Sequence, residues 1–209
     1  MGITLAVLSI AGAVALGAIS PGPSFVLVAR TAVAGSRTDG LATALGMGIG
    51  GVVFAVAALL GLHMVLNTVP WANLGLKLLG GVYLIFLGYL IWRGAKLPLS
   101  LPDTEVQSRT NSLARSFWLG LLTQVSNPKA AVIYASIFAA LLPRQVPVFV
   151  NFLLPALIFI VEAGWYAVVA MALSTAAPRA AYVRLKVWID RATGVVMVLL
   201  GARLLAGAW

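Results

Sequence analysis

Six stretches of this chain, near residues 4–29, 40–66, 74–92, 116–142, 148–173 and 188–207, are apolar almost throughout, with most of the charged residues gathered between them. Each is about the length, some 20 residues, that carries a helix across a ~30 Å hydrocarbon layer. Lipid offers no partner to a backbone N–H or C=O, so isolated spans of this kind must be helices. Of the 209 residues 62% are hydrophobic and 9% charged, far from the roughly 45–50% and 25% of a soluble domain. The sequence therefore predicts an all-α integral membrane protein of six transmembrane helices.

Several chemistries are excluded at once. There are no cysteines and one histidine, His63, so disulfides, thiolate metal sites and histidine metal clusters have no ligands. The formal charge of +9 is spread over the connections, where topology and lipid headgroups account for it better than nucleic acid does. "GMGIGG" fits the dinucleotide pattern through Gly46, Gly48 and Gly51. It follows no strand and lies inside an apolar helix, so its glycines, notably Gly46 and Gly50, read as a small-residue face for close helix packing.

The basic residues also set an orientation. Arg30 and Arg37 flank the first connection, Arg93, Lys96, Arg109 and Arg115 the third, and Arg179, Arg184 and Lys186 the fifth. The second has none and the fourth only Arg144. The positive-inside rule then places connections one, three and five in the cytoplasm and both termini outside. No Lys or Arg precedes Arg30, so the first segment is expected to stay as a span and not to act as a cleaved signal. Trp92, Trp118 and Trp188 are expected at the cytoplasmic interface.

The two halves resemble one another. "AISPGPSFVLVA" matches "QVSNPKAAVIYA" around Pro21 and Pro128, and "LKLLGGVYLIFLG" matches "IDRATGVVMVLLG", aligning Gly81 with Gly194 and Gly88 with Gly201. Three spans is an odd number, so the halves are expected as inverted repeats within a single membrane domain, 1–209: repeat one 1–95, a cytoplasmic linker 96–115, and repeat two 116–209. In each, the first helix is broken by proline, which lacks an amide and clashes with the preceding turn. A single break reads as a structural kink. Matched breaks in inverted repeats read as discontinuous helices that expose backbone polar groups to a solute at mid-membrane.

Lys129 and Glu162 lie deep within the fourth and fifth segments. A charge at that depth costs at least about 2.5–3.5 kcal/mol, so such groups face the bundle interior, pair, or line a pathway. A buried Lys129–Glu162 ion pair is one reading; a substrate or coupling role is the other. Asp39 reads as a helix N-cap, and Asp190 with Arg191 as a local charge pair at the interface.

"PGP" late in the first span, "GLATALGMGIGG" opening the second, "LKLLGGVYLIFLGYLIWRG" as the third and "GLLTQVSNPKAAVIY" as the fourth resemble the lysine exporter superfamily, specifically its homoserine/threonine exporter branch. The resemblance spans essentially the whole chain. It implies six spans and export of amino acids from the cytoplasm, driven by an ion gradient, and it marks Pro21, Gly22, Pro23, Asn127, Pro128 and Lys129 as motif residues. With Ser20 in the first break and Glu162, these are the expected substrate-binding or coupling residues. A small neutral or homoserine/threonine-like amino acid is preferred to a basic one. The expected partners are that substrate, a coupling ion such as the proton, and the lipid bilayer of the inner membrane, with homo-oligomers left open. No catalytic residue, cofactor or metal is expected. The alternatives are an exporter of another small solute or cation, a membrane enzyme using Lys129 and Glu162 as acid and base, or a scaffold.

Overall fold

A computed structural model describes residues 2–20, 22–68, 70–97, 112–143, 145–174 and 176–206, and all the regular structure among them is helical. The helices are α1 (Ile3–Ile19), α2 (Pro23–Ala34), α3 (Arg37–Thr68), α4 (Pro70–Gly94), α5 (Leu113–Val125), α6 (Pro128–Leu141), α7 (Val150–Leu173) and α8 (Ala176–Ala206). The six apolar segments become eight helices because the first and fourth are interrupted. α1 and α2 meet at a bend of 59°, and α5 gives way to α6 at Ser126 and Asn127.

The breaks are written in the local sequence. Gly22 and Asn127 stand at the N-caps of α2 and α6, with Pro23 and Pro128 next to them in the first turn. There a missing amide costs nothing, because no carbonyl of the helix is available to it. Proline also drives the residue before it toward extended backbone, and Asn127 is extended at φ −79°, ψ 106°. The proline that holds the same place as Pro128, in the first turn after a break, is Pro23, two residues beyond the one matched in the sequence. Pro21 itself lies outside the described residues.

The faces turned outward carry large apolar side chains, among them Leu79, Phe152 and Ile160, more than half exposed. This is the reverse of a soluble surface and is what lipid requires. Arg37–Gly61 and Val150–Leu173 are each long and apolar enough to cross a membrane, with mean hydropathy 2.1 and 2.0, and α1 with α2 qualifies as a bent pair. Trp92, Trp118 and Trp188 are all exposed.

α3 packs on α5 and α7, and α4 on α8. Glycine makes these approaches close. A Cβ on Gly46 would collide with the Phe117 carbonyl of α5, and one on Gly50 with Gln124, as the small-residue face predicts. On α7, Ala163 lies 2.7 Å from where a Gly48 Cβ would stand. Between α4 and α8 the contacts are reciprocal. A Cβ on Gly88 would stand 2.6 Å from the Gly194 carbonyl oxygen and one on Gly194 2.7 Å from that of Gly88, while Gly201 and Gly81 oppose each other's carbonyls at 2.6 and 3.0 Å.

Two local assignments change. Ser36, not Asp39, caps α3: its hydroxyl accepts from the Asp39 amide at 3.1 Å and donates to Asp39 Oδ2 at 2.6 Å. Asp39 holds that capping hydroxyl from the first turn, and its other oxygen accepts from Ser116 at 3.2 Å. Asp190 pairs with Lys186, one turn earlier, at 2.8 Å, and not with Arg191. The Arg191 guanidinium instead lies 5.6 and 5.8 Å from the ring centres of Trp92 and Trp188, a cation–π arrangement that leaves its neighbour facing inward.

The glycine contacts yield a paired test. A Cβ on Gly120 would meet the Thr43 carbonyl of α3, whereas one on Gly164 has nothing within 4 Å. Gly120→Ala should destabilise by about 1–3 kcal/mol, the cost of overpacking, seen as a lowered thermal midpoint in detergent. Gly164→Ala should hold or raise the midpoint.

Candidate functional site

The two broken helices are tied together at their breaks. Lys129, in the first turn of α6, reaches across to the end of α1, where its ammonium donates to the Ser20 carbonyl and hydroxyl, both at 3.3 Å. Asn127 accepts from the Lys129 amide at 3.0 Å and donates to the Ser24 hydroxyl at 3.0 Å. Ser24 donates in turn to the Gln124 carbonyl oxygen at 2.7 Å. Gln124 stands in the last turn of α5, so one chain of hydrogen bonds joins the start of α6, the start of α2 and the end of α5.

That chain continues to Glu162 on α7. The Gln124 amide donates to one carboxylate oxygen at 2.7 Å and the Tyr134 hydroxyl to the other at 2.9 Å. Glu162 is only 3% exposed, so these two donors replace the water it has lost. α3 comes near enough for this because of Gly51: a Cβ there would stand 2.9 Å from the Tyr134 oxygen and 3.2 Å from Glu162 Cγ.

Ser20, Gly22, Asn127, Lys129 and Glu162 line one cavity of about 30 Å³, with Ser24, Gln124 and Tyr134 completing its polar wall. Five of the eight residues expected from sequence thus come together. Pro23 faces a second, larger cleft, and Pro128 serves as a helix start. Of the two readings left open for Lys129 and Glu162, the direct ion pair does not form. Glu162 takes its hydrogen bonds from neutral groups and Lys129 takes its own at Ser20, whereas Lys186 and Asp190 pair directly.

Gln124, Ser24 and Tyr134 were not singled out in the sequence. Gln124 carried a usable signal, a side-chain amide inside an apolar run, which must find partners in the bundle. Tyr134 carried none, since a tyrosine in an apolar span packs equally well as a hydrophobe. Among the described residues no three His, Asp or Glu gather closely enough to hold a metal ion.

The second cleft, about 340 Å³, is bounded by α2, α4 and α8 and includes Leu87, Ile91, Lys186 and Asp190. Ser20, Gly22 and Lys129 line both spaces, so they form the wall between them.

An apolar helical bundle with two interrupted helices closing on a buried polar cavity has the architecture of a membrane transport protein. The chain belongs to the LysE type translocator family, whose model matches residues 15–207. The "Threonine efflux protein" of Escherichia coli (strain K12) is 35% identical over 189 residues, covering 90% of this chain and 91% of that protein. The protein of the same description from Salmonella typhi is 36% identical over 190 residues, with the same coverage. An uncharacterised membrane protein of Haemophilus influenzae is 29% identical over 187 residues, 88% of this chain and 89% of its own length. No solved structure matches. Membership of a translocator family makes this chain a transporter, and the reading as a membrane enzyme gives way.

Because Lys129 and Glu162 form no ion pair and are joined only through Asn127, Ser24 and Gln124, Lys129→Met and Glu162→Gln should couple by about 1 kcal/mol or less in a double-mutant cycle, well below the roughly 3–5 kcal/mol that breaking a direct buried pair costs. A larger coupling, read from thermal unfolding of the four proteins, would mean that the two charges pair.

Proposed function

We propose that this chain is a secondary exporter of a small neutral amino acid, of the size and polarity of threonine or homoserine, from the bacterial cytoplasm across the inner membrane. The observation that carries this reading is the buried cavity where α1–α2 and α5–α6 are broken, which sets an ammonium and a carboxylate on one polar wall. A zwitterion needs that combination. Lys129 and the N-terminal ends of α2 and α6 meet its carboxylate, since helix N-termini carry partial positive charge. Glu162, held by Gln124 and Tyr134, meets its ammonium or carries the coupling proton. Ser20, Gly22, Pro23, Asn127 and Pro128 shape the two breaks, and Pro21 is assigned to the first of them on its sequence motif alone. The names of the threonine efflux relatives support the same substrate class.

The architecture proposed with it has six spans, each repeat contributing one broken and two continuous helices: 1–95, linker 96–115, and 116–209. The reciprocal glycines support it. If Gly81 corresponds to Gly194 and Gly88 to Gly201, a two-fold axis in the membrane plane turns the Gly81–Gly201 contact into the Gly194–Gly88 contact, and both are present. The positive charges on connections one, three and five support termini outside the cytoplasm.

The test is flux in vesicles of known orientation, loaded with labelled threonine, homoserine, alanine and lysine in turn, with and without collapse of the proton gradient. Neutral amino acids should move and lysine should not. Movement of inorganic cations alone would replace this reading with that of a cation exporter. Lys129→Met should insert and fold yet reduce transport about ten- to a hundredfold, the scale of one lost charge-assisted hydrogen bond to the substrate. Reporters active only in the cytoplasm should stay silent when fused to either terminus.

A further inference from the structure

We propose that the cleft between α2, α4 and α8 is a separate docking site, where the amino acid rests before it reaches the inner cavity, with Asp190 taking its ammonium and Lys129 its carboxylate. This rests on the export reading above and adds a binding residue, Asp190, which that reading does not use.

Size comes first. The inner cavity, at about 30 Å³, has room for about two waters, fewer atoms than a threonine-sized solute carries. The cleft, at about 340 Å³, takes such a solute without rearrangement. It lies beside Gly94 and Ala95 at the end of α4, where the 96–115 linker begins, the side assigned to the cytoplasm.

Bonding decides which groups are available. Lys186 is committed: it donates to Asp190 at 2.8 Å and to the carbonyls of Ala95 and Gly94 at 3.2 and 3.5 Å, closing the end of α4. It positions Asp190 by one oxygen and has nothing left for a ligand. The other Asp190 oxygen has only the Ser20 hydroxyl, at 3.4 Å, too long for a strong bond. Lys129 likewise holds Ser20 by two contacts of 3.3 Å and has no carboxylate within ion-pair distance. One carboxylate oxygen and one ammonium on the cleft wall are thus weakly engaged, and a zwitterion engages both.

Charge supplies the selectivity. Lys129, Lys186 and Asp190 leave the cleft with one excess positive charge, which favours a solute bringing a carboxylate and disfavours one with a second ammonium. Leu87, Leu90 and Ile91 complete the wall and suit a short uncharged side chain. Because Lys129 also lines the inner cavity, its side chain is both the ligand and the partition. Swinging it inward with the bound carboxylate opens the path between the two spaces.

The experiment measures labelled threonine exchange by the full-length protein in oriented proteoliposomes, varying substrate on each face in turn. Asp190→Asn should raise KM on the linker face about tenfold or more, the equivalent of one charge-assisted bond, and leave KM on the opposite face within about twofold. A 2-hydroxy acid, lacking the amine, should compete far less well than the amino acid with the wild type and about equally well with Asp190→Asn. A merely structural Asp190 would lower the yield of folded protein and the rate on both faces without changing that preference, and this result overturns the proposal. The exchange Lys186→Asp with Asp190→Lys restores an ion pair while removing the carboxylate from its place. It should keep the thermal midpoint and still show the raised KM; wild-type KM in this variant also overturns the docking site. If the wild type exchanges no amino acid, the export reading and the docking site fall together, whereas wild-type exchange with unchanged KM in Asp190→Asn removes the docking site alone.

Discussion

In lipid a helix can be interrupted only where something else satisfies the backbone and side-chain polar groups that the interruption uncovers. Most of the interior of this protein is arranged around that demand. Each break answers the other: Lys129 from the second serves the carbonyl at the end of α1, and Ser24 from the first joins the amides of Asn127 and Gln124. Neither broken helix is complete alone. Gln124, Asn127, Ser24 and Lys129 meet at the crossing, where each break supplies partners that the apolar helices around it do not.

The buried charges are handled in two ways. Lys186 and Asp190 form a direct pair at one end of α8, reinforced by carbonyls. Glu162 is held by an amide and a phenol, and Lys129 by an alcohol and a carbonyl. A tight ion pair in a low-dielectric interior resists separation, since removing either partner leaves an uncompensated charge. Neutral hydrogen bonds are weaker and more readily exchanged for those of a solute. Lys186 and Asp190 therefore stay together, with one Asp190 oxygen still weakly engaged, whereas Glu162 and Lys129 can exchange their partners.

Much of the fold was legible because bilayer physics leaves few options. Apolar length and the proline-bearing stretches around Pro21 and Pro128 marked the segments and both interruptions, though the helix after the first break starts at Pro23, and the glycines at 46 and 50 announced a close-packing face, which meets α5. The site was read only in part. Depth in an apolar segment singled out Lys129 and Glu162 but says nothing of the direction a side chain takes, so it left a mutual pair and a pathway role both open, and the structure gives the two residues separate sets of partners. Asp190 sat too near a segment end to look buried, and its inward turn depends on Arg191 engaging two tryptophans from different helices. The sequence pointed to Asp39 and not to Ser36, the actual cap of α3, because both are good capping residues and only the start of the helix distinguishes them.

The seam between α4 and α8 limits how this protein can vary. When a new side chain strikes another side chain, trimming the second can relieve the clash, and a lineage can pass through such exchanges in pairs. At Gly88, Gly194 and Gly201 the first atom struck is a carbonyl oxygen of the opposing helix. Every residue carries that atom, so no substitution on the far side makes room. Volume cannot be traded across this seam as it can in an ordinary core, and a larger residue at any of these three positions is accommodated only by moving whole helices apart.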